Sequence, residues 1–125
     1  MKFYKIGFDV NRREFEGSIL NLPSSRETIY DDLSKDLNCE GLDFQDYSEE
    51  ILMIVDENGF YKRHNPVFQI KTSFDDFIEL AGYIIFARNV ETEHSMDIGS
   101  IMDSDIIRLR NNLEIRLIGL TNGMK

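Results

Sequence analysis

Apolar and polar residues alternate at the start of the chain. Tyr4, Ile6, Phe8 and Val10 fall on one face of an extended segment, with Lys5, Gly7 and Asp9 on the other. That period of two predicts a half-buried strand. A second short strand is expected at Ser18–Leu20, beyond the polar, turn-prone Asn11-Arg12-Arg13. The period then lengthens. Ile29, Tyr30, Leu33 and Leu37 recur at helical spacing, with Asp31, Asp32, Lys35 and Asp36 on the wet side, which predicts a helix over 25–38. Ser24 and Glu27 have capping-box spacing before it, and Asn38, followed by Gly41, marks its end.

The two most apolar runs lie further on. Ile51–Val55 is short, continuous and rich in β-branched residues, and Gly82–Val90 resembles it; both read as central strands. Leu42–Ser48, with apolar and acidic residues interleaved, is an edge strand or an irregular crossing. Asp56-Glu57-Asn58-Gly59 predicts a tight hairpin, because Asn-Gly tolerates positive φ, with Phe60-Tyr61-Lys62 as the returning strand. Asn65-Pro66 breaks regularity before a short extended piece at Val67–Ile70. Thr72 or Ser73 is placed to cap a single turn over Phe74–Phe77, and the polar stretch 91–99 reads as a surface loop.

Ser100 and Asp103 offer a cap for a second helix with Met102, Ile106, Leu109 and Leu113 at helical spacing. Asn111-Asn112 ends it, leaving Leu113–Leu120 as a strand, although the periodicity also allows the helix to continue; residues 121–125 are expected to fray. Phe3, Phe8, Phe44, Phe60, Phe77 and Phe86 are assigned to the core. The whole predicts one globular domain over 1–125 of α+β class, with a mixed, mainly antiparallel sheet of four to six strands and two helices on one face.

Charge sharpens this picture. The formal net charge is −9, and residues 31–57 hold 10 of the 23 acids against one base, Lys35, so the rest of the chain is balanced at 13 of each. Such a field repels phosphate backbones, which argues against direct nucleic-acid binding, and it attracts basic surfaces. No apolar run approaches the roughly 18 residues of a membrane span and no signal segment opens the chain, so a cytoplasmic protein without a membrane partner is expected.

Catalytic chemistry finds no footing. Cys39 is the sole cysteine and follows the C-terminal end of the first helix, where the dipole disfavours a thiolate. It reads as a small thiol at the edge of a core. Neither His64 nor His94 has a second histidine or cysteine at ligand spacing, and there is no nucleophile elbow or glycine-rich phosphate loop. No metal, no cofactor and no enzymatic activity are therefore expected. Two binding readings remain. The acidic face, represented by Asp31, Asp32, Asp36, Asp43 and Asp46, docks on a basic host protein or only confers solubility. Alternatively Arg63, His64 and Asn65 hold an anion or nucleotide, or simply form a solvated hairpin end offsetting Asp56 and Glu57. The pattern sets no oligomeric state.

Several segments also run in a familiar order. They are Gly17-Ser18-Ile19-Leu20, Ile54-Val55-Asp56-Glu57-Asn58-Gly59, His64-Asn65-Pro66, Leu80-Ala81-Gly82-Tyr83-Ile84-Ile85-Phe86 and Gly99-Ser100-Ile101-Met102-Asp103. In order and spacing they resemble the DUF3846 family of small phage, plasmid and conjugative-element proteins, over about residues 3–110. The acid-rich stretch 38–50, the Asn-before-Pro order and the tail beyond 112 depart from that family's pattern. The resemblance implies a bacterial mobile-element origin and supplies no catalytic residues.

Overall fold

The computed structural model describes residues 1–91 and 96–122. The first strand, β1 (Lys2–Asp9), turns back into β2 (Glu14–Asn21), and α1 (Ile29–Asp36) follows. Then come β3 (Leu42–Asp46), β4 (Ile51–Asp56), a single 3-10 turn (Gly59–Tyr61), β5 (Arg63–Lys71), β6 (Phe77–Ala81), β7 (Ile84–Glu91) and β8 (Met96–Gly99). The chain ends with α2 (Asp103–Asn112) and β9 (Glu114–Asn122). Every strand pairing among the described residues is antiparallel.

A six-stranded sheet runs in the order β2-β1-β7-β4-β3, with β8 beside the far half of β7, and a three-stranded sheet runs β6-β5-β9. The α+β class and the antiparallel sheet stand as the pattern predicts. The large sheet is the frame because β4 and β7 are apolar on both faces. Ile51, Met53 and Val55 join Tyr4, Ile6, Ile84 and Phe86 in one core, while Leu52 and Ile54 join Phe3, Ile85 and Ala87 in another. Alternation along each strand puts these cores on opposite faces. Helix α1 supplies Ile29 and Leu33 to the second core. Helix α2 supplies Ile106 and Leu109 to the first, alongside Phe68, Ile70 and Leu80 of the small sheet. The two helices therefore do not share a face, contrary to the sequence expectation. The same observation corrects the half-buried reading of β1: Gly7, on the face read as wet, is buried on the same side as core residue Phe3, while Val10 lies in the exposed turn.

Local departures have local causes. Helix α1 starts at Ile29, four residues later than the cap at Ser24 predicts, because Ser24 Oγ donates to Asp32 Oδ2 (2.6 Å) and the residues before Ile29 form a turn. Its end is as read: Asn38 takes φ 50°, Cys39 N–H donates to Ser34 O and Asn38 N–H to Lys35 O, the pattern that closes a helix on a left-handed residue. The Asp56–Gly59 hairpin does not form. Asn58 sits at φ −104°, its N–H donates to Asp56 Oδ1, and the 3-10 turn carries the chain away from β4 to the other sheet. Gly59 is needed for space: a Cβ there would lie 2.6 Å from Ala81 O.

Proline in β5 is tolerated at an irregularity in the pairing with β9, where His64 takes φ 59°. Thr72 Oγ1 accepts from Phe74 N–H, but the turn that follows closes a β5–β6 hairpin and leads straight into β6. Residues 96–99 are strand and not loop; Glu93 and His94 of that loop, and 123–125 of the tail, lie outside the described residues. The strand reading of Leu113–Leu120 is met by β9. No helix among the described residues is long and apolar enough to cross a membrane.

Buried Asp105 ties α2 to the large sheet. Its carboxylate accepts from Arg88 Nε (2.7 Å) and Nη2 (2.9 Å) on β7 and from Met102 N–H (3.0 Å), just before the helix.

Candidate functional site

The acidic stretch folds into α1, the edge strand β3 and the whole of β4, so its charges lie along the β3 edge of the large sheet and on the helix that covers one of its faces. Its members have different fates. Asp36 pairs with Lys5 Nζ at 2.9 Å, both half-buried. Asp56 pairs with Lys62, whose ammonium also donates to Asn38 O at the end of α1, and Glu50 lies 3.5 Å from Arg88. Asp32 accepts from Ser24, and that hydrogen bond, the largest influence on it, holds its carboxyl below the usual range. Asp43 accepts from Phe44 N–H, and Asp46 from the Asn89 side-chain amide at 3.3 Å. Among the described residues no hydrogen bond or ion pair engages the exposed Asp31 carboxylate.

Register separates two of these acids. Asp46 lies opposite Leu52 and Phe44 opposite Ile54, on the α1 face, whereas Asp43 lies opposite Val55, on the other. The five predicted residues thus do not form one plane. What the α1 face does hold is an aromatic pair. Tyr30 and Phe44, both expected in the core, are 46% and 37% exposed, and their rings meet edge-to-face at 6.1 Å and 73°. They line an open groove of about 240 Å³ with Leu52, Ile98, Asn89 and Asp97. Arg26 reaches its rim, with Nη2 3.0 Å and Nε 3.1 Å from Asp97 Oδ2.

Sequence reading misses this arrangement. Tyr30 carries the helical period that signals burial, and Asn89 and Asp97 come from β7 and β8, far along the chain. The one available signal is the interleaving of Phe44 with Asp43 and Asp46, since a strand with acids on both sides of an aromatic has little core to face. Phe60 and Phe77, also assigned to the core, are exposed as well.

The basic cluster is dispersed rather than convergent. Lys62 turns to Asp56, Arg63 opens β5 opposite Asn122, and His64 is exposed at the irregularity. Asn65 is structural: its side-chain amide donates to Gly59 O (2.9 Å) and its N–H to Thr121 Oγ1 (3.0 Å). A cleft of about 230 Å³ does lie against His64 and Asn65, walled by Phe8, Val10, Pro66 and Tyr83 over two glycines, Gly7 and Gly82. Arg63 is not among its lining residues, and no lysine or arginine is either. His64 is the side chain of its lining that can carry positive charge, and Lys5 Nζ lies 4.5 Å from the ring of Tyr83.

Cys39 is half-buried, and burial, with the Asp56 charge behind it, pushes its thiol above the ordinary range. No cluster of three or more metal-ligating side chains exists among the described residues. No protein-family model, curated protein or solved structure matches this chain.

Proposed function

We propose that this is a non-enzymatic interaction protein that docks through its acidic end on a basic surface of another protein. The observation that carries this reading is the exposed Tyr30–Phe44 pair set among acids that α1 and β3 leave facing solvent. A merely solubilising face needs charge alone; apolar aromatic surface held at its centre is what a protein interface uses. The charge steers encounter and the aromatics supply burial. Phosphate backbones are repelled by the same field, so the partner is a protein, of the basic kind that itself binds nucleic acid. On the resemblance to the DUF3846 family, the chain is a product of a bacterial mobile element and its partner a host protein; its place in the cytoplasm rests on the expectation drawn from the apolar pattern.

The test is affinity capture by the tagged protein from bacterial lysate at low and high salt, beside an Asp31→Lys/Asp43→Lys/Asp46→Lys variant. These three acids are exposed, whereas reversing Asp36 would bring a lysine against Lys5 and confuse folding with binding. A partner held at low salt, released at high salt and absent from the variant is the expected result. Capture of the same partner by the variant would overturn the docking role.

A further inference from the structure

The groove beside Tyr30 and Phe44 has the dimensions and chemistry of a seat for one side chain. At about 240 Å³ it is smaller than the roughly 300–1,000 Å³ of pockets that enclose small-molecule ligands. Leu52 and Ile98 give it an apolar floor, the two rings give it a wall, and Asn89 and Asp97 are its polar groups. None of its lining residues is cationic. Asp46 adds a second carboxylate through its contact with the Asn89 amide. Among the described residues the cation that reaches it is Arg26, which meets Asp97 with two nitrogens while its side chain stays 74% exposed.

We infer that this groove receives an arginine from the docking partner and that Arg26 is its internal competitor; the inference rests on the docking reading above. A guanidinium lies flat on an aromatic face while its fork of N–H groups meets a carboxylate, a combination that a lysine ammonium does not reproduce. The incoming arginine runs its methylene stem over Leu52 and Ile98, stacks on Tyr30 or Phe44 and displaces Arg26 from Asp97. Arg26 gives up little burial by leaving, because its own side chain is already 74% exposed, while Asp97, at 20%, keeps a cation through the exchange. Its presence lowers the affinity of arginine ligands and favours those with further positive charge to engage the surrounding acids.

The experiment is fluorescence-anisotropy titration with labelled tetra-arginine and tetra-lysine peptides, at low salt, against wild type and four variants. Wild type should bind tetra-arginine about threefold or more tighter than tetra-lysine. Tyr30→Leu/Phe44→Leu keeps apolar bulk and total charge but removes the π faces; it should weaken tetra-arginine about fivefold and erase the preference. Arg26→Ala should tighten tetra-arginine by more than Lys35→Ala does, since both remove one positive charge from the same region and only the first frees Asp97. Asp31→Lys/Asp43→Lys reverses two acids outside the groove, on different faces of the acidic region, and so reports on the surrounding charge alone. Equal affinity of wild type for the two peptides, an unchanged preference in the leucine variant, or equal gains for Arg26→Ala and Lys35→Ala would each overturn the arginine seat. The docking reading would survive those results if the lysine-reversal variant still lost binding. No binding of either peptide by wild type would overturn both. Should the double leucine variant not fold, Phe44→Leu alone, on the exposed edge strand, carries the same comparison.

Discussion

Replacing Asp105 with alanine is expected to remove about 3–4 kcal/mol of folding stability. Breaking a buried ion pair from one side typically costs 3–5 kcal/mol, because the remaining charge is left desolvated. Here the orphan is Arg88, whose side chain is 24% exposed and has Glu50 at 3.5 Å, so partial solvation brings the cost to the bottom of that range or just below it, about 2–3 kcal/mol. Met102 N–H also loses its acceptor at the start of α2, adding about 1 kcal/mol. With a urea slope of roughly 1.5–2 kcal/mol/M for a chain of this size, the unfolding midpoint should fall by about 2 M. A shift under about 0.5 M with an unchanged slope would refute the reasoning, since it would mean that Arg88 finds solvent or Glu50 at no cost.

The pH dependence supplies a second check on the same residue. Burial is the largest influence on Asp105 and pushes its carboxyl upward, but the Arg88 hydrogen bonds, the Met102 N–H and the Arg88 charge together hold it below the usual range. A carboxyl depressed in the folded state contributes stability that is complete above its unfolded value of about 3.9 and is lost as pH falls through the folded value. The gap in stability between wild type and Asp105→Ala should therefore be constant from about pH 6 to 5 and narrow as pH falls below about 4. A gap that widens on acidification would reverse the assignment.

Gly59→Ala should cost about 1–3 kcal/mol, read as a fall in thermal midpoint, because its Cβ would press on the Ala81 carbonyl, which cannot swing aside. Asn38→Ala should cost about 1 kcal/mol for a left-handed φ of 50°, while Asn38→Gly should equal or exceed wild type in the same assay. Cys39 should react with a disulfide reagent at pH 7 more slowly than a cysteine peptide, and more slowly still in Lys62→Ala, because Lys62 is the charge that lowers its thiol. Faster reaction than the peptide would contradict the reading of Cys39 as inert.

Alternation and composition alone were enough to locate the frame. Ile51–Val55 and Ile84–Ala87 are apolar on every residue, and only a strand covered on both faces accommodates that pattern, so their central places were legible. So was the end of α1 at Asn38, which depends on a few neighbouring residues; the pattern left Leu42–Ser48 as an edge strand or an irregular crossing and allowed the last helix to run past Asn111-Asn112, and the structure chose β3 at the edge and β9. The concentration of acid in 31–57 was equally visible.

Tertiary structure decided everything that depends on which distant residue arrives. Asn58-Gly59 reads as a hairpin because its local chemistry permits one, yet the packing of Gly59 against Ala81 sends the chain to a second sheet. The placement of the helices on opposite faces follows from Phe3 being covered by α1, which the period of β1 does not reveal. The same holds for the candidate site. Lys5, Lys62 and Arg88 neutralise acids from elsewhere in the chain, and Asp97 and Asn89 reach the Tyr30–Phe44 pair from strands more than 40 residues beyond Phe44. A charge count along the chain gives the sign of a surface. Long-range strand pairing alone fixes which of those charges remain exposed, and which aromatic rings they surround.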